Sequence, residues 1–390
     1  MELLIKSSNH GLSSLTERNN LMPKRNILLT PGPTPVPPSV LEVMAQPIFH
    51  HRTPRYRDVF KEVSEELKKV FRTKEKVYTF TGSGTLAMES SMVNFLSAGD
   101  KVICLEAGKF GERWAEIAKS YNLKAVVVKV PYGEAIPSEQ VDQALKQNPD
   151  AKAVYATHCE TSTGVLLDIK KISSIVSKTK AIFVVDAISG LAADVLEMDA
   201  WNIDVVVSGS QKGLMIPPGL SFIAVSPKAW AINKQATLPR YYLDLAKCEK
   251  SLNDWDTPFT PALTLVLALK EALKLITQEG MERVWARSAK LAEETRHELK
   301  QMGLELFSKA PSNTLTAVKV PAGIDGEKLV SVMRDEKGVT MAGGQGDMKG
   351  KVFRIAHMGF ITKADIEIGI SVLKETLEEF KKALSQKVRV

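Results

Sequence analysis

Three short segments of the sequence carry residue types that could do chemistry, and each follows an apolar run. Thr81-Gly-Ser-Gly-Thr85 contains two glycines that would let the backbone approach an anion where a helix begins. Asp186 ends the apolar run Ala181–Val185, and Lys212 lies in Ser210-Gln-Lys-Gly213, just beyond another run. The loop could bind a phosphate, the carboxylate could hold a positive charge, and the lysine amine could form a Schiff base with a carbonyl.

Each segment also has a simpler explanation when it is taken alone. The glycine loop could be a tight strand-to-helix turn, and Gly82-Ser-Gly-Thr-Leu-Ala87 also matches the G-x-G-x-x-A fingerprint of dinucleotide sites. Asp186 could cap the next turn, and a lone lysine after a core strand is usually a solvated surface residue. No single motif decides between these explanations.

The three segments have one joint explanation, because the carboxyl ends of parallel strands meet at the same edge of a sheet. Pyridoxal phosphate requires a lysine for its aldehyde, an acid for its pyridine nitrogen and a cup for its phosphate. NAD would use the glycine loop but would leave Lys212 and Asp186 unexplained. The sequence therefore predicts a pyridoxal-phosphate site built from the glycine loop, Asp186 and Lys212.

The elements that would position this site alternate between short apolar runs and amphipathic helices. Strands with little polar alternation, each followed by a helix, indicate an α/β fold with a mostly parallel central sheet covered by helices. The predicted strands are Val77–Phe80, Lys101–Leu105, Ala125–Val130, Ala153–Ala156, Ala181–Val185, Val205–Ser208 and Ser221–Val225. The predicted helices are Asp58–Phe71, Leu86–Phe95, Arg113–Tyr121, Ser138–Gln147, Ile169–Lys178 and Ala262–Glu279.

The pattern changes after Gly280, which ends a long predicted helix. We therefore expect a large α/β domain over residues 25–280 and a smaller C-terminal α+β domain over residues 281–390, preceded by an N-terminal extension over residues 1–24. The proline-rich segment Leu28–Pro38 is expected to be an extended loop. The smaller domain should contain a helix over Val284–Met302, strands near Thr314–Val320 and Val352–Ile355, and a last helix from Ala364.

The composition argues against several classes of protein. The chain has 390 residues, of which 44% are apolar and 25% charged, and 52 basic against 45 acidic residues give a net charge of +7. These are ordinary globular proportions, no apolar run reaches the ~18 residues of a membrane span, and residues 1–20 lack the apolar stretch of a secretory signal. The basic residues are scattered, so we expect no nucleic-acid partner. The three cysteines form no C-x-x-C pair and the histidines have no ligand-spaced partners, so we expect a cytoplasmic protein without a membrane partner or a metal site.

In their order and spacing, the motifs resemble those of the class V aminotransferases of pyridoxal-phosphate fold type I. The resemblance is nearest to the alanine–glyoxylate and serine–pyruvate aminotransferase branch, and it extends from Leu28 to the last predicted helix. It rests on Pro31-Gly-Pro-Thr34, Thr81-Gly-Ser-Gly-Thr85, Thr157-His-Cys-Glu-Thr-Ser-Thr-Gly164, Val185-Asp-Ala187, Ser210-Gln-Lys-Gly213, Thr257-Pro-Phe-Thr-Pro261 and Phe353-Arg-Ile355.

The resemblance implies a role for each matching residue. Lys212 would hold the cofactor covalently and transfer the proton of the substrate Cα, while Asp186 would keep the pyridine nitrogen protonated. Phe110, where relatives often have tryptophan, would stack on the pyridine ring, and Thr161 would lie on the side of the ring hydroxyl. The phosphate would be held by Ser83, Gly84, Thr85 (a histidine in some relatives), Gln211 and, from the neighbouring subunit, Thr260.

The resemblance also implies a substrate and a reaction. Arg354, in the small domain, would grip the carboxylate of an amino or oxo acid bidentately, and the backbone of Gly32 would lie near the same carboxylate. The chain would be a homodimeric pyridoxal-phosphate-dependent aminotransferase with its active sites at the subunit interface. It would move an amino group between a small L-amino acid, alanine or serine, and a 2-oxo acid, glyoxylate or pyruvate, by a ping-pong mechanism.

Three other functions are less well supported by the same residues. Some proteins of this branch bear the name of a soluble-hydrogenase small subunit, which would make the chain a non-catalytic accessory subunit on the same fold. A cysteine desulfurase or related lyase would need a thiol on a C-terminal loop, but Met341-Ala-Gly-Gly-Gln-Gly346 has none and Cys248 is the last cysteine. An NAD-dependent dehydrogenase would explain the glycine loop alone.

Overall fold

The computed structural model describes residues 26–387, so the extension expected over residues 1–24 lies outside the described residues. The strands are β1 (Ile27–Leu28), β2 (Val77–Thr81), β3 (Lys101–Glu106), β4 (Lys124–Lys129), β5 (Ala153–Thr157), β6 (Cys159–Glu160), β7 (Val165–Leu166), β8 (Ile182–Asp186), β9 (Val205–Gly209), β10 (Leu220–Val225), β11 (Leu315–Lys319), β12 (Val339–Thr340), β13 (Ala342–Gly343) and β14 (Val352–Ala356). The helices are α1 (Pro38–Met44), α2 (Pro54–Phe71), α3 (Gly84–Val93), α4 (Lys109–Ser120), α5 (Ser138–Gln147), α6 (Ile169–Val176), α7 (Pro227–Asn233), α8 (Leu245–Leu252), α9 (Leu263–Glu279), α10 (Met281–Gln301), α11 (Gly326–Asp335) and α12 (Lys363–Lys387).

A seven-stranded sheet forms the centre of the larger part of the molecule, in the order β2-β10-β9-β8-β5-β3-β4. Every neighbouring pair is parallel except the two that include β10, which is antiparallel to both β2 and β9. Every residue of β5, β8, β9 and β10 is buried, as expected for strands covered on both faces. The prediction of an α/β fold with a mostly parallel central sheet is confirmed.

The connection between β9 and β10 places the lysine predicted to be reactive. The chain returns from β9 to β10 within residues 210–219, a segment too short for a parallel crossover, so β10 runs antiparallel to β9. Ser210 tightens the connection, because its hydroxyl donates to the carbonyl of Pro217 at 2.8 Å. Lys212 therefore lies just beyond the carboxyl end of β9, and the neighbouring strand β8 ends at Asp186.

Several predicted boundaries are wrong by one helical turn or less. The loop predicted over Leu28–Pro38 is shorter at both ends. Leu28 belongs to β1, which pairs with β12, and Pro38 begins α1. Proline fits the first turn of a helix, since its missing N–H has no partner there in any case. Helices α3 and α4 begin at Gly84 and Lys109 rather than at Leu86 and Arg113, because their first turns contain glycines that apolar periodicity does not reveal.

The buried apolar side chains form two clusters. The larger cluster surrounds the seven-stranded sheet, and the smaller one lies among α10, α11, α12 and the sheet β11-β14-β13. Leu29 and Ala193 belong to the smaller cluster, so the segment after β1 packs with the C-terminal part of the chain. Among the described residues, no helix combines the length and the apolar character needed to cross a bilayer.

A tight contact joins the C-terminal part of the chain to the Lys212 connection. Gly359, three residues after β14, has a φ of +72°. A Cβ atom at this position would lie 3.0 Å from Oγ1 of Thr34 and 3.2 Å from the carbonyl oxygen of Lys212. The Thr34 hydroxyl itself donates to that carbonyl at 2.9 Å. The main chain of Lys212 is therefore held between two segments that come from opposite ends of the sequence.

Replacing Gly359 by alanine should test this contact against a matched control, Gly303→Ala. Both glycines have left-handed φ angles, +72° and +76°, but a Cβ atom on Gly303 would meet no other atom within 4 Å. Both variants share the backbone strain, so we expect G359A to lower the free energy of unfolding by about 1–3 kcal/mol more than G303A, as an overpacked contact does. Urea denaturation measures the difference, and equal losses in the two variants would contradict the close approach.

Candidate active site

Lys212 presents a buried amine rather than a solvated one. The residue is only 8% exposed, and its Nζ donates to the carbonyl oxygen of Pro31. A Cβ atom on Gly32 would lie 2.4 Å from Cε of Lys212, and Gly32 has a φ of +110°, so glycine is required where the lysine passes. Among the described residues, no carboxylate lies within 4 Å of this amine. Gly32 therefore lies against Lys212, and its place near a substrate carboxylate stays a prediction.

Asp186 lies at the end of β8 with half of its carboxylate unused. Oδ1 accepts the backbone N–H of Ile188 at 2.8 Å, which fixes the orientation of the carboxylate. Within residues 26–387, Oδ2 accepts no hydrogen bond. The residue is only 3% exposed, so this oxygen is available for a cationic partner in a place largely removed from bulk water.

Burial shifts the pKa of both groups in opposite directions. Desolvation lowers the pKa of Lys212 to about 8, an effect that Arg354 strengthens and that nearby anionic groups oppose. Desolvation also raises the pKa of Asp186 to about 7, against the hydrogen bond from Ile188 and the charge of Lys212. An amine with a pKa near 8 is substantially neutral at mildly alkaline pH, which is what a proton acceptor requires.

The glycine loop and the Lys212 connection together form an anion cup. Ser83 is the N-cap of α3, and no side chain caps the free N–H groups of this helix. A Cβ atom on Gly209 would lie 3.5 Å from Cα of Gly84 and 3.1 Å from Oε1 of Gln211, so the two backbones approach closely. The Oε1 atom of Gln211 is buried and has no hydrogen-bond partner among the described residues. The free N–H groups of the helix N-terminus, together with the NH2 group of the Gln211 amide, are donors that fit a phosphate group.

The aromatic residue Phe110 lies in the first turn of α4 and is held on two sides. Its backbone N–H donates to Oε2 of Glu160 at 3.1 Å. The guanidinium carbon of Arg113 lies 4.9 Å from the centre of the phenyl ring, within cation–π distance. Arg113 also donates to the hydroxyl of Thr85 at 3.2 Å, which links the ring to the anion cup.

Arg354 is a buried guanidinium without a carboxylate partner. It lies on β14 with 4% exposure and donates to the carbonyl oxygens of Gly343, at 3.1 and 2.6 Å, and of Thr161, at 2.8 Å. Desolvation lowers its pKa to about 10, and the charge of Glu160 partly opposes this. Among the described residues, no carboxylate lies within 4 Å of Arg354. A positive charge buried in this way favours an anionic ligand.

Known proteins resemble this chain over nearly its whole length. Residues 27–361 match the family described as Aminotransferase class-V. The chain belongs to the class V aminotransferase family. A soluble hydrogenase small subunit from Synechococcus sp. (strain PCC 6716) is 41% identical over 92% of this chain and 94% of that protein. A serine–glyoxylate aminotransferase from Methylorubrum extorquens is 34% identical over 88% of this chain and 89% of its own.

The solved structures give the same result for the class V fold. The crystal structure of an alanine–glyoxylate aminotransferase from Nostoc sp. superimposes with a TM-score of 0.87 and 30% identity, covering 94% of this chain and 100% of that one. The resemblance stated from the motifs is thereby confirmed, as is the fold type I architecture.

Not every candidate residue joins the set around Lys212. Thr260 is exposed on the loop before α9, and within residues 26–387 its side chain makes no hydrogen bond. That loop packs on the end of β2, where the N–H of Ala262 donates to Thr81 Oγ1 at 3.1 Å. His158 and His357 are buried singly, and the described residues contain no group of three or more potential ligands that could hold a metal.

Sequence reasoning missed three residues of this class V site. Glu160 and Arg113 hold Phe110, and the hydroxyl of Ser189 is hydrogen bonded to that of Thr161. Glu160 lies inside the motif Thr157–Gly164, and a carboxylate among seven uncharged residues was the available signal. Arg113 and Ser189 carry no such signal in the sequence. Their contacts with Phe110 and Thr161 depend on how α4 and the segment after β8 pack in the folded chain.

The displaced pKa of Lys212 makes a prediction for the protein without cofactor. The folded pKa of about 8 lies below the ordinary 10.5, so the unfolded chain binds a proton that the folded chain lacks between these pH values. The buried charge therefore destabilises the fold fully below pH 8, and this cost disappears as the pH rises to 10.5. Lys212→Met should raise the free energy of unfolding by up to about 3 kcal/mol at pH 7 and by little near pH 10.5.

Denaturation of the apoprotein across this pH range measures the effect, with Lys180→Met, at an exposed position, as the control. The control should give a difference that does not change with pH. A K212M difference that is equally flat would contradict a buried, depressed amine.

Proposed function

We propose that this protein is a pyridoxal-phosphate-dependent aminotransferase that exchanges an amino group between a small L-amino acid and a 2-oxo acid. The observation that carries the proposal is the buried amine of Lys212, which has no carboxylate partner among the described residues. It lies at the same edge of the sheet as Asp186, whose Oδ2 accepts no hydrogen bond from them. The single hydrogen bonds that these groups make, to the Pro31 carbonyl and from the Ile188 N–H, neutralise neither charge. Together they match two of the three demands that a pyridoxal cofactor makes on a protein, the lysine and the acid.

The residues present fit the cofactor at each of its ends. Ser83, Gly84, Thr85 and Gln211 would hold the phosphate through the free helix N–H groups and the NH2 group of the Gln211 amide. Asp186 would face the pyridine nitrogen with Oδ2. Phe110 would cover one face of the cofactor ring, and Thr161 would lie at the side of the ring hydroxyl.

Lys212 would do the proton chemistry of the reaction. Pyridoxal phosphate, when bound, supplies an aldehyde that exchanges with amines and a ring that stores an electron pair. Lys212 would first hold the cofactor through its amine and, once the substrate amine has replaced it, take the proton from the substrate Cα and later return it. Its pKa near 8 allows it to act in both directions around neutral pH.

Arg354 would bind the carboxylate that every amino acid and 2-oxo acid shares. The guanidinium is already oriented by the carbonyls of Gly343 and Thr161. It can therefore donate to both oxygens of a carboxylate with little loss of side-chain freedom. Arg113, which lies beside Phe110, donates to Thr85. Since the sequence marks no second arginine for a distal carboxylate, we favour alanine or serine as donor. The relatives named for glyoxylate support glyoxylate as acceptor, with pyruvate the alternative.

The active unit we propose is a homodimer in the cytoplasm. Thr260 is exposed and would complete the phosphate cup of the neighbouring subunit. Beside it, Tyr241 is 73% exposed and Tyr242 stacks on Phe259, an aromatic patch of the kind that subunit interfaces bury. The three cysteines are free and buried, which suits a reducing compartment.

The second candidate function is that of an accessory subunit, as the name of the Synechococcus relative suggests. The cost of burying Lys212, Asp186 and Arg354 speaks against it, since a scaffold without chemistry has no use for three buried charges. Lyase chemistry of the desulfurase type is disfavoured because burial raises the pKa of Cys104, Cys159 and Cys248 to about 12 each.

Adding L-alanine or L-serine to the purified yellow protein, without any 2-oxo acid, should change the absorbance of the bound cofactor. Adding glyoxylate or pyruvate should restore the original spectrum, as a ping-pong mechanism requires. Lys212→Ala should lose nearly all of this response because the proton carrier is gone. Stopped-flow absorbance measures both half-reactions, and a wild-type protein that responds to neither these donors nor L-aspartate would favour the accessory role.

Replacing Arg354 by lysine should raise KM for the amino donor about tenfold or more and lower kcat, because an ammonium cannot reproduce bidentate binding. Arg296→Lys is the matched control, since Arg296 also donates to a main-chain carbonyl, that of Ser312 at 3.0 Å, but outside the site. Steady-state kinetics measure KM and kcat for both variants, and R296K should keep the wild-type values. Unchanged KM and kcat in R354K would remove Arg354 from substrate binding.

A further inference from the structure

We infer that Glu160 is a positioning residue, whose buried carboxylate fixes the Phe110 ring and, through the same loop, the main chain that holds Arg354. The inference rests on the proposed function, because it concerns the ring of the cofactor and the carboxylate of the substrate. Glu160 itself would touch neither of them. It acts through two residues that would.

Four donors converge on this carboxylate. Oε2 accepts the N–H groups of Phe110 at 3.1 Å and Gly111 at 2.9 Å, both in the first turn of α4. Oε1 accepts the N–H and the hydroxyl of Ser162 at 3.1 and 2.5 Å. Glu160 is completely buried, so no water can replace any of these bonds. A negative charge at a helix N-terminus is also the favourable sign for the helix dipole.

The approach of Glu160 to α4 is built into the backbone before the helix. A Cβ atom on Gly108 would lie 2.5 Å from Cγ of Glu160 and 2.5 Å from Oγ of Ser162. The missing side chain of Gly108 therefore leaves the space through which the Glu160 carboxylate reaches the first turn of α4. The N–H of Lys109 donates to the same Ser162 hydroxyl at 3.1 Å, so the loop and the helix are joined on both sides of the glycine.

The same loop sets the position of the guanidinium. Thr161 follows Glu160 directly, and its carbonyl accepts Nη1 of Arg354 at 2.8 Å. The carboxylate thus ties the ring platform on α4 to the group that would bind the substrate carboxylate. The relative position of these two groups decides how the substrate Cα–H bond is presented to the ring, so an error in one displaces the reaction geometry.

A carboxylate is required because both of its oxygens accept from main-chain N–H groups, which can only donate. Glutamine keeps the size and one acceptor oxygen, but its NH2 group must then face a main-chain N–H group, that of Ser162 or those of Phe110 and Gly111, which can only donate. Glu160→Gln should therefore release either the α4 turn or Ser162. The matched control is Asp204→Asn, another buried carboxylate, which accepts Phe183 N–H and Ser226 Oγ at 2.9 Å each at the opposite ends of the strands.

The test compares E160Q and D204N by three readouts that a purely structural loss would not move together. These are the dissociation constant of pyridoxal phosphate titrated into the apoprotein, the visible circular dichroism of the bound chromophore, and the separate values of KM and kcat for L-alanine. We expect E160Q to weaken cofactor binding about tenfold, the loss of one charged hydrogen bond, to reduce the dichroism and to raise KM. D204N should lower the thermal midpoint but leave all three readouts at wild-type values.

A second variant decides the question if E160Q does not fold. Ser162→Ala removes one donor to Glu160 and its link to Lys109, and it should move the same readouts in the same direction by about two- to fivefold. An E160Q or S162A protein with wild-type dichroism, affinity and KM would overturn the positioning role. A wild-type protein that binds no pyridoxal phosphate would instead overturn the proposed function, so the two failures are distinguishable.

Discussion

The structure depends on the burial of charged groups that do not neutralise one another directly. Lys212 donates to a carbonyl, Arg354 donates to two carbonyls, and half of the Asp186 carboxylate accepts nothing from the described residues. Such burial costs free energy unless a ligand supplies the missing charges. The fold places that cost where the seven-stranded sheet and the sheet β11-β14-β13 approach each other, and burial shifts the pKa values of Lys212 and Asp186 accordingly.

The architecture explains why these groups meet. Strands β8 and β9 are parallel neighbours, so Asp186 and the segment after β9 must lie side by side. The short return to β10 keeps Lys212 at that point, and the segment Pro31–Thr34 closes over it. The guanidinium comes from the C-terminal part of the chain on β14, held by Gly343 on that side and Thr161 on the other. Substrate, in the function we propose, is gripped where the two parts of the molecule meet.

Much of this could be predicted from the sequence, because strand ends are marked by abrupt changes from apolar to polar residues. Asp186 and Lys212 follow such changes, and the glycine loop indicates where a helix, α3, begins. The first turns of α3 and α4 were missed, since glycine hides them from apolar periodicity. Glu160 was missed as a functional residue because its partners Phe110 and Gly111 lie about fifty residues earlier in the chain. The role proposed for Thr260 would need a second copy of the chain, so it came from the family resemblance and not from a pattern within one copy.

The central claim is that the Lys212 amine is the covalent attachment point of a pyridoxal cofactor. It is tested most directly by reducing the native protein, saturated with pyridoxal phosphate, with borohydride and mapping the modified peptide by mass spectrometry. The account predicts one stoichiometric modification, on the peptide that contains Lys212. A modification distributed over exposed lysines, or an unmodified Lys212 in the reduced protein, would contradict it.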